Sequence, residues 1–148
     1  MKSVHQQRVE KFMGLAGQNI PASPIAPDLE TRELRARLIL EESLETIKAL
    51  GFQVMAKEEI VDEDLVRFVD CFEPDLIEIA DGCADIKVVT TGTLSACGIE
   101  DEELQCDVDQ NNMAKFGPGG FRRDDGKWVK PPNHQPPNIS KILEDQGK

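Results

Sequence analysis

The sequence predicts an all-α fold with one small β-hairpin, on three observations. Leu, Ile, Ala and Glu supply most of the apolar and charged residues, which favours helix. Aromatic residues are few, with six Phe, one Trp and no Tyr. Two long helical patterns, at about 29–50 and 75–97, each end at a glycine. A chain of 148 residues suits a single domain, 1–148, with a helical core over 28–115.

The N-terminal part combines a short helix with an extended segment. Apolar spacing predicts a helix over 4–15. Segment 20–27 contains three prolines, which exclude helix there. Asp28 then stands at the N-cap position of the first long helix, and Gly51 follows its last turn.

The connections between the later helices are less regular. Strand-like residues around an acidic turn at 62–64 predict a hairpin over about 52–69, with a short helix as the alternative. A third helix is predicted over 101–115, and Asn138 would cap a last helix over 139–145. Between them, 116–137 is a Gly/Pro-rich loop with basic residues, in which Trp128 would either stack on a base or pin the loop.

Composition excludes several functions. The net charge of −11, from 28 acids against 17 basic residues, argues against a nucleic-acid partner, which requires a cationic surface. No apolar run approaches the roughly 18–20 residues of a membrane span. The N-terminus has no signal-peptide pattern, so we expect a cytoplasmic protein. The four cysteines form no CxxC pair, and we expect them to be reduced core residues.

In the first long helix, carboxylates replace an apolar stripe part-way along. The stripe begins with Leu34 and Leu38 and continues as Glu41, Glu42 and Glu45. The same helix carries an apolar face that we expect to pack in the core, formed by Leu40, Leu44 and Ile47.

The second long helix carries three acids on one face. At 100° per residue, Glu78, Asp81 and Asp85 fall within about 60° of one another. They interrupt a pattern that is apolar on its other sides, which predicts a buried helix. A carboxylate on a buried face is costly unless it is paired or bound to a metal.

Six carboxylates on two helices therefore indicate a metal site. Divalent cations would relieve the repulsion among them, and all-oxygen ligands suit Mg²⁺, or equally Mn²⁺. The alternative is that these acids form an ordinary solvated helix face.

The ordered motifs resemble one enzyme group. Glu41–Glu45 matches an EExxE motif, Glu78–Asp81 reads as ExxD, and Asp85 extends it. The segment 107–115 and the residues Asp125-Gly126-Lys127 with Lys130-Pro131 add two later motifs. Together they resemble the all-α nucleoside triphosphate pyrophosphohydrolases, the MazG-like and phosphoribosyl-ATP pyrophosphohydrolase-like group. The chain departs from that pattern at Gly82, where many relatives would have the Glu of ExxD.

The resemblance implies Mg²⁺-dependent hydrolysis of a (deoxy)nucleoside triphosphate to the monophosphate and pyrophosphate, a reaction that sanitises the nucleotide pool. It implies four metal ligands, Glu42, Glu45, Asp81 and Asp85. Glu41 or Glu78 would activate the attacking water. Substrate would be held by Asn112, Lys115, Arg122, Arg123, Lys127 and Lys130.

The resemblance also implies a homodimer or a dimer of dimers, in which helices of two chains complete the bundle. Two alternatives stay open at this point. The substrate could be phosphoribosyl-ATP, which would make the protein a histidine-biosynthesis enzyme. The chain could instead be a non-catalytic acidic module that binds metal or a protein partner.

Overall fold

The computed structural model describes residues 1–56, 59–60, 65–124 and 126–148. These residues form five helices and two small antiparallel sheets, which confirms the prediction of an all-α fold with a small hairpin. The helices are α1 (Val4–Leu15), α2 (Leu29–Ala49), α3 (Leu76–Ala96), α4 (Asp101–Ala114) and α5 (Ile139–Gln146). The strands are β1 (Phe52–Ala56), β2 (Val66–Asp70), β3 (Phe121–Arg122) and β4 (Trp128–Val129).

The chain divides into two compact units. The terminal unit comprises Met1–Ala26 and Leu94–Lys148, and the central unit comprises Pro27–Thr93. Helix α3 therefore begins in the central unit and ends in the terminal one. None of the helices in the described ranges combines the length and apolarity that a bilayer crossing requires.

In the terminal unit, a buried polar network joins α1 to the start of α4. The Gln6 side chain is fully buried, and its amide nitrogen donates to Ser95 Oγ (3.0 Å) and to the Ile99 carbonyl (2.7 Å). The Gln6 amide oxygen accepts from the backbone N–H of Asp101 at 2.9 Å. The Asp101 carboxylate in turn accepts from Ser3, the N-cap residue of α1. Because each buried polar atom in this network has a partner, the network fixes these segments together.

The basic loop of the terminal unit contains a hairpin that the sequence did not predict. Strands β3 and β4 pair, with Phe121 opposite Val129. The indole N–H of Trp128 donates to the Lys115 carbonyl at 2.6 Å, and its ring lies 4.9 Å from that of Phe116. Trp128 therefore pins the loop to the end of α4. Asp125 of the predicted Asp-Gly-Lys motif lies outside the described residues.

In the central unit, α2 begins and ends as predicted. Asp28 caps it by accepting from the Thr31 N–H at 2.8 Å. Gly51 follows with a φ of 98°, a left-handed conformation that favours glycine. The predicted hairpin is confirmed by the pairing of β1 with β2, and its acidic turn at 62–64 lies outside the described residues.

Backbone hydrogen bonds bring the start of α3 beside the end of α2. The Asp75 N–H donates to the Ala49 carbonyl at 2.8 Å. The Gly51 carbonyl accepts from the N–H groups of both Cys71 and Phe72, each at 3.0 Å. The turn over 71–75 is thus held against the last turn of α2.

The predicted burial of the long helices is wrong for part of their length. On α3, Leu76 and Ile77 are 80% and 79% exposed. On α2, Leu40 and Leu44 are exposed as well. Amphipathic patterning predicts an apolar face but not what covers it. Among the described residues of the central unit, one hairpin and the paired helices leave these faces open.

The prediction that the four cysteines are core residues is wrong for three of them. All four cysteines are free, and Cys71, Cys83 and Cys106 are exposed. Cys97 alone among them is partly buried.

A candidate active site on two acidic helices

In the central unit, helices α2 and α3 meet at Thr46 and Gly82. A Cβ atom at Gly82 would lie 3.1 Å from Thr46 Cβ and 3.2 Å from Thr46 Cα, closer than side chains normally pack. Thr46 is buried, and its hydroxyl donates to the Glu42 carbonyl at 2.8 Å. The absence of a side chain at Gly82 therefore lets the two helices meet directly beside Glu42.

The carboxyl group of Glu42 is affected by the charges of four other acids of the set. Partial desolvation raises the pKa of its carboxyl group, and the negative charges of Asp85, Glu45, Glu41 and Asp81 raise this pKa further. Two of these four acids lie on α3, so the charges of both helices act on one group. The structure thus brings together five of the six predicted acids; Glu78 is not among those that act on Glu42.

Lys48 lines one cavity with two of the six carboxyl groups, those of Glu45 and Glu78. Across the part of the chain that the structure describes, none of the six forms an ion pair or a side-chain hydrogen bond with another residue. In that same part, no three His, Cys, Asp or Glu side chains form a ready-made metal-binding group.

The structure gives a physical reason for the glycine at position 82. A Glu there would have to place its Cβ against the backbone of Thr46. The acid one residue earlier, Asp81, is exposed and acts on Glu42, whereas Glu78 does not. Of the two acids that could replace the expected Glu, Asp81 is the one whose charge acts on Glu42.

The residues predicted to hold substrate all belong to the terminal unit. Lys115 Nζ donates to the Asn112 side-chain oxygen at 2.6 Å, so these two residues form one polar pair at the end of α4. Arg122 lies in β3, and Arg122 and Arg123 line a cavity of ≈ 520 Å³ with Phe121 and Asp124. Lys127 and Lys130 flank β4 and are exposed.

Sequence reasoning missed Thr46. It stands four residues after Glu42, one turn along the helix, but a threonine within a helix carries no signal of its role. Only the position of Gly82 on a different helix reveals it.

Comparison with known protein families provides the deciding observation. The family described as phosphoribosyl-ATP pyrophosphohydrolase matches residues 7–112. The chain belongs to this family. A comparison with curated proteins found no match.

Membership of the phosphoribosyl-ATP pyrophosphohydrolase family confirms the resemblance. The family is part of the MazG-like nucleoside triphosphate pyrophosphohydrolase superfamily, and the chain is accordingly a pyrophosphohydrolase. The matched region contains all six acids and Asn112. It ends before Lys115, so the basic hairpin is a feature of this chain outside the family match.

Proposed function

We propose that the protein hydrolyses a (deoxy)nucleoside triphosphate to the monophosphate and pyrophosphate, with Mg²⁺, and so removes unwanted nucleotides from the pool. The observation that carries the proposal is the meeting of unpaired carboxylates from α2 and α3 beside the Thr46–Gly82 contact. In a member of a pyrophosphohydrolase family, this is the place where anionic phosphates and their cation would bind.

The donor set fits Mg²⁺ in its chemistry. The residues that would hold the ion are Glu42, Glu45, Asp81 and Asp85, all of which offer oxygen atoms, the ligands that Mg²⁺ and Mn²⁺ prefer. The charges that now raise the pKa of Glu42 are those that a divalent cation would offset. When bound, the ion would supply positive charge to phosphate oxygens.

The remaining residues would position and activate the reactants. Glu41 or Glu78 would accept a proton from the attacking water. The water oxygen bonds to phosphorus as the bond from that phosphorus to the oxygen bridging the α- and β-phosphates breaks. The electron pair of the broken bond stays on the bridging oxygen, and the products are the monophosphate and pyrophosphate. Lys115, Arg122, Arg123, Lys127 and Lys130 would hold the phosphates, and Asn112 the sugar or base.

The exposed apolar faces support a homodimer or a dimer of dimers as part of this proposal. Leu76 and Ile77 on α3 and Leu40 on α2 are all more than half exposed in the isolated chain. Exposed apolar side chains at neighbouring positions, such as Leu76 and Ile77, are typical of an interface between subunits. A second copy would cover these faces and complete a four-helix arrangement around the carboxylates.

A second candidate substrate is phosphoribosyl-ATP, because it gives the matching family its name. Hydrolysis of either substrate would use the same carboxylates. The two substrates differ in the additional phosphoribosyl group that phosphoribosyl-ATP carries. The family match favours an enzyme over a non-catalytic acidic module.

The test is a substrate panel with purified protein and Mg²⁺. Nucleoside triphosphates, deoxynucleoside triphosphates and phosphoribosyl-ATP are each assayed for pyrophosphate release. We expect release from at least one nucleoside triphosphate, and its loss in Glu42→Gln and in Asp85→Asn. Glu103→Gln, an exposed acid on α4, is the matched control. Release of orthophosphate alone, or full activity in either site variant, would overturn the proposal.

A further inference from the structure

A cavity of ≈ 460 Å³ lies in the central unit beside the carboxylates. This volume lies within the range of small-ligand sites, about 300–1,000 Å³. The side chains that line it include those of Glu45, Lys48, Phe72, Glu73, Asp75 and Glu78. Glu45 and Glu78 also belong to the predicted active site, so this cavity, here called the Phe72 cavity, adjoins the place where the phosphates would react.

Main-chain hydrogen bonds hold the walls of the Phe72 cavity in place. One wall is the last turn of α2, and the other is the turn over 71–75. The two walls are joined by the Asp75 N–H to the Ala49 carbonyl and by the Phe72 N–H to the Gly51 carbonyl. Asp75 also caps α3 by accepting from the N–H groups of Ile77 and Glu78. The backbone of both walls is therefore fixed by the fold.

The charge of the Phe72 cavity suits a neutral group better than a phosphate. Apart from Glu45 and Glu78, which the proposed function assigns to the metal and the water, its lining carries two acids, Glu73 and Asp75, and one lysine, a formal charge of −1. Carboxylates repel phosphate oxygens, but they accept hydrogen bonds from amino and hydroxyl groups. Of the parts of a nucleotide, only the base and sugar offer such groups without negative charge.

Two side chains of the cavity, Phe72 and Lys48, supply a stacking surface and hydrogen-bond donors for a base. Phe72 is 47% exposed and presents an aromatic ring on which a base can stack. The Lys48 ammonium group makes no ion pair with any residue in the described ranges, so its N–H donors are available to a base carbonyl or ring nitrogen.

We propose that the Phe72 cavity receives the nucleoside of an unmodified nucleoside triphosphate, with Phe72 stacking on the base and Lys48 donating to it. Glu73 accepts from an amino or hydroxyl group of the same nucleoside. The acids of the cavity disfavour phosphoribosyl-ATP, because its additional phosphoribosyl group brings a further phosphate towards them. This inference rests on the proposed function, since it assigns the substrate of the same site.

The experiment compares substrates with and without a nucleoside, using the full chain and Mg²⁺. Phe72→Ala and Lys48→Ala are each expected to raise KM for the best nucleoside triphosphate by about tenfold, the usual effect of a lost stacking or base contact. Inorganic triphosphate, which has no nucleoside, is expected to be cleaved by both variants as it is by the wild-type protein. Phe72→Trp keeps an aromatic ring and is expected to retain a KM close to that of the wild type.

Phe68→Ala serves as the matched control, because Phe68 is exposed in the same unit and does not line the cavity. Where Phe72→Ala fails to fold, Phe72→Leu and Lys48→Gln provide the same comparison. Unchanged KM values in a wild-type background that releases pyrophosphate would overturn the cavity assignment alone. Equal losses on both substrates would overturn it too. A wild-type protein that cleaves no nucleoside triphosphate would overturn the proposed function, and a preference for phosphoribosyl-ATP would overturn the substrate class.

Discussion

Thr46 on α2 packs directly against Gly82 on α3, and its hydroxyl is bonded to the carbonyl of Glu42. The contact therefore sets the separation of two helices at the level of the carboxylates that they carry. Glu42 is one turn before Thr46, and Asp85 is three residues after Gly82. A change in this contact should alter both the free energy of unfolding and the rate of hydrolysis.

We expect Gly82→Ala to destabilise the fold by about 1–3 kcal/mol, because the new methyl group would overlap Thr46. The pyrophosphohydrolase rate should fall at least tenfold as the acids of α2 and α3 separate. Urea unfolding and steady-state kinetics measure the two effects.

Gly14→Ala is the control for Gly82→Ala, because an added Cβ in α1 would meet nothing within 4 Å. It should stabilise the protein by about 0.5–1 kcal/mol, the usual gain from Ala in a helix. Thr46→Ala removes the hydroxyl and should restore part of the stability in the double variant. Equal behaviour of the two Gly→Ala variants would contradict the packing argument.

Glu42→Gln should change how the protein responds to Mg²⁺. Without metal the variant should melt at a higher temperature than the wild type, because a carboxylate that four neighbouring acids repel has gone. The wild-type protein should gain thermal stability on addition of Mg²⁺, and the variant should gain less. Thermal melts in EDTA and in millimolar Mg²⁺ test this; equal Mg²⁺ responses would count against Glu42 as a ligand.

The pH dependence of metal-free stability should carry the signature of Glu42. Its pKa in the folded state is raised above the unfolded value, so the folded chain holds this proton more tightly. The resulting stability is fully present below the ordinary pKa of glutamate and is lost as the pH rises through the raised pKa. The melting temperature of the wild type minus that of Glu42→Gln should therefore fall with rising pH from about 4.

This difference isolates Glu42, because groups with lowered pKa values, such as the capping carboxyl of Asp28, contribute equally to both proteins. Melts in EDTA across the pH range provide the measurement. A melting-temperature difference that stays constant with pH would show that the neighbouring acids do not raise the pKa of Glu42.

The exposed start of α3 should be an interface between subunits. Replacing both Leu76 and Ile77 with Ser should convert a dimer or tetramer into smaller species, since these side chains are 80% and 79% exposed in the isolated chain. Light scattering after gel filtration measures the mass. Leu15→Ser, at a residue 83% exposed on α1, should leave the mass unchanged. An oligomer that withstands the double substitution would place the interface elsewhere.

Local signals predicted most of the fold. The caps at Asp28 and Asn138, the helix end at Gly51 and the central hairpin all depend on neighbours in sequence. The candidate acids were also predictable, because helical periodicity alone places Glu78, Asp81 and Asp85 on one face.

Features that depend on contacts distant in sequence were not predictable. Thr46 and Gly82 lie on different helices, and neither residue type indicates a helix crossing. Strands of two residues, as in β3, have almost no pattern to detect. The exposure of Ile77 depends on what covers α3, and an apolar run has the same sequence whether its own chain or another copy covers it.

The Asp75 N–H donates a hydrogen bond to the Ala49 carbonyl, and this bond joins the start of α3 directly to the end of α2. The link lies at the base of the hairpin and uses none of its strand residues. The strands of the hairpin are therefore not part of this link between the two helices. We expect a change in the length or sequence of the hairpin to leave the alignment of α2 with α3 in place. The segment between Phe52 and Asp70 is accordingly a suitable place to insert a peptide tag.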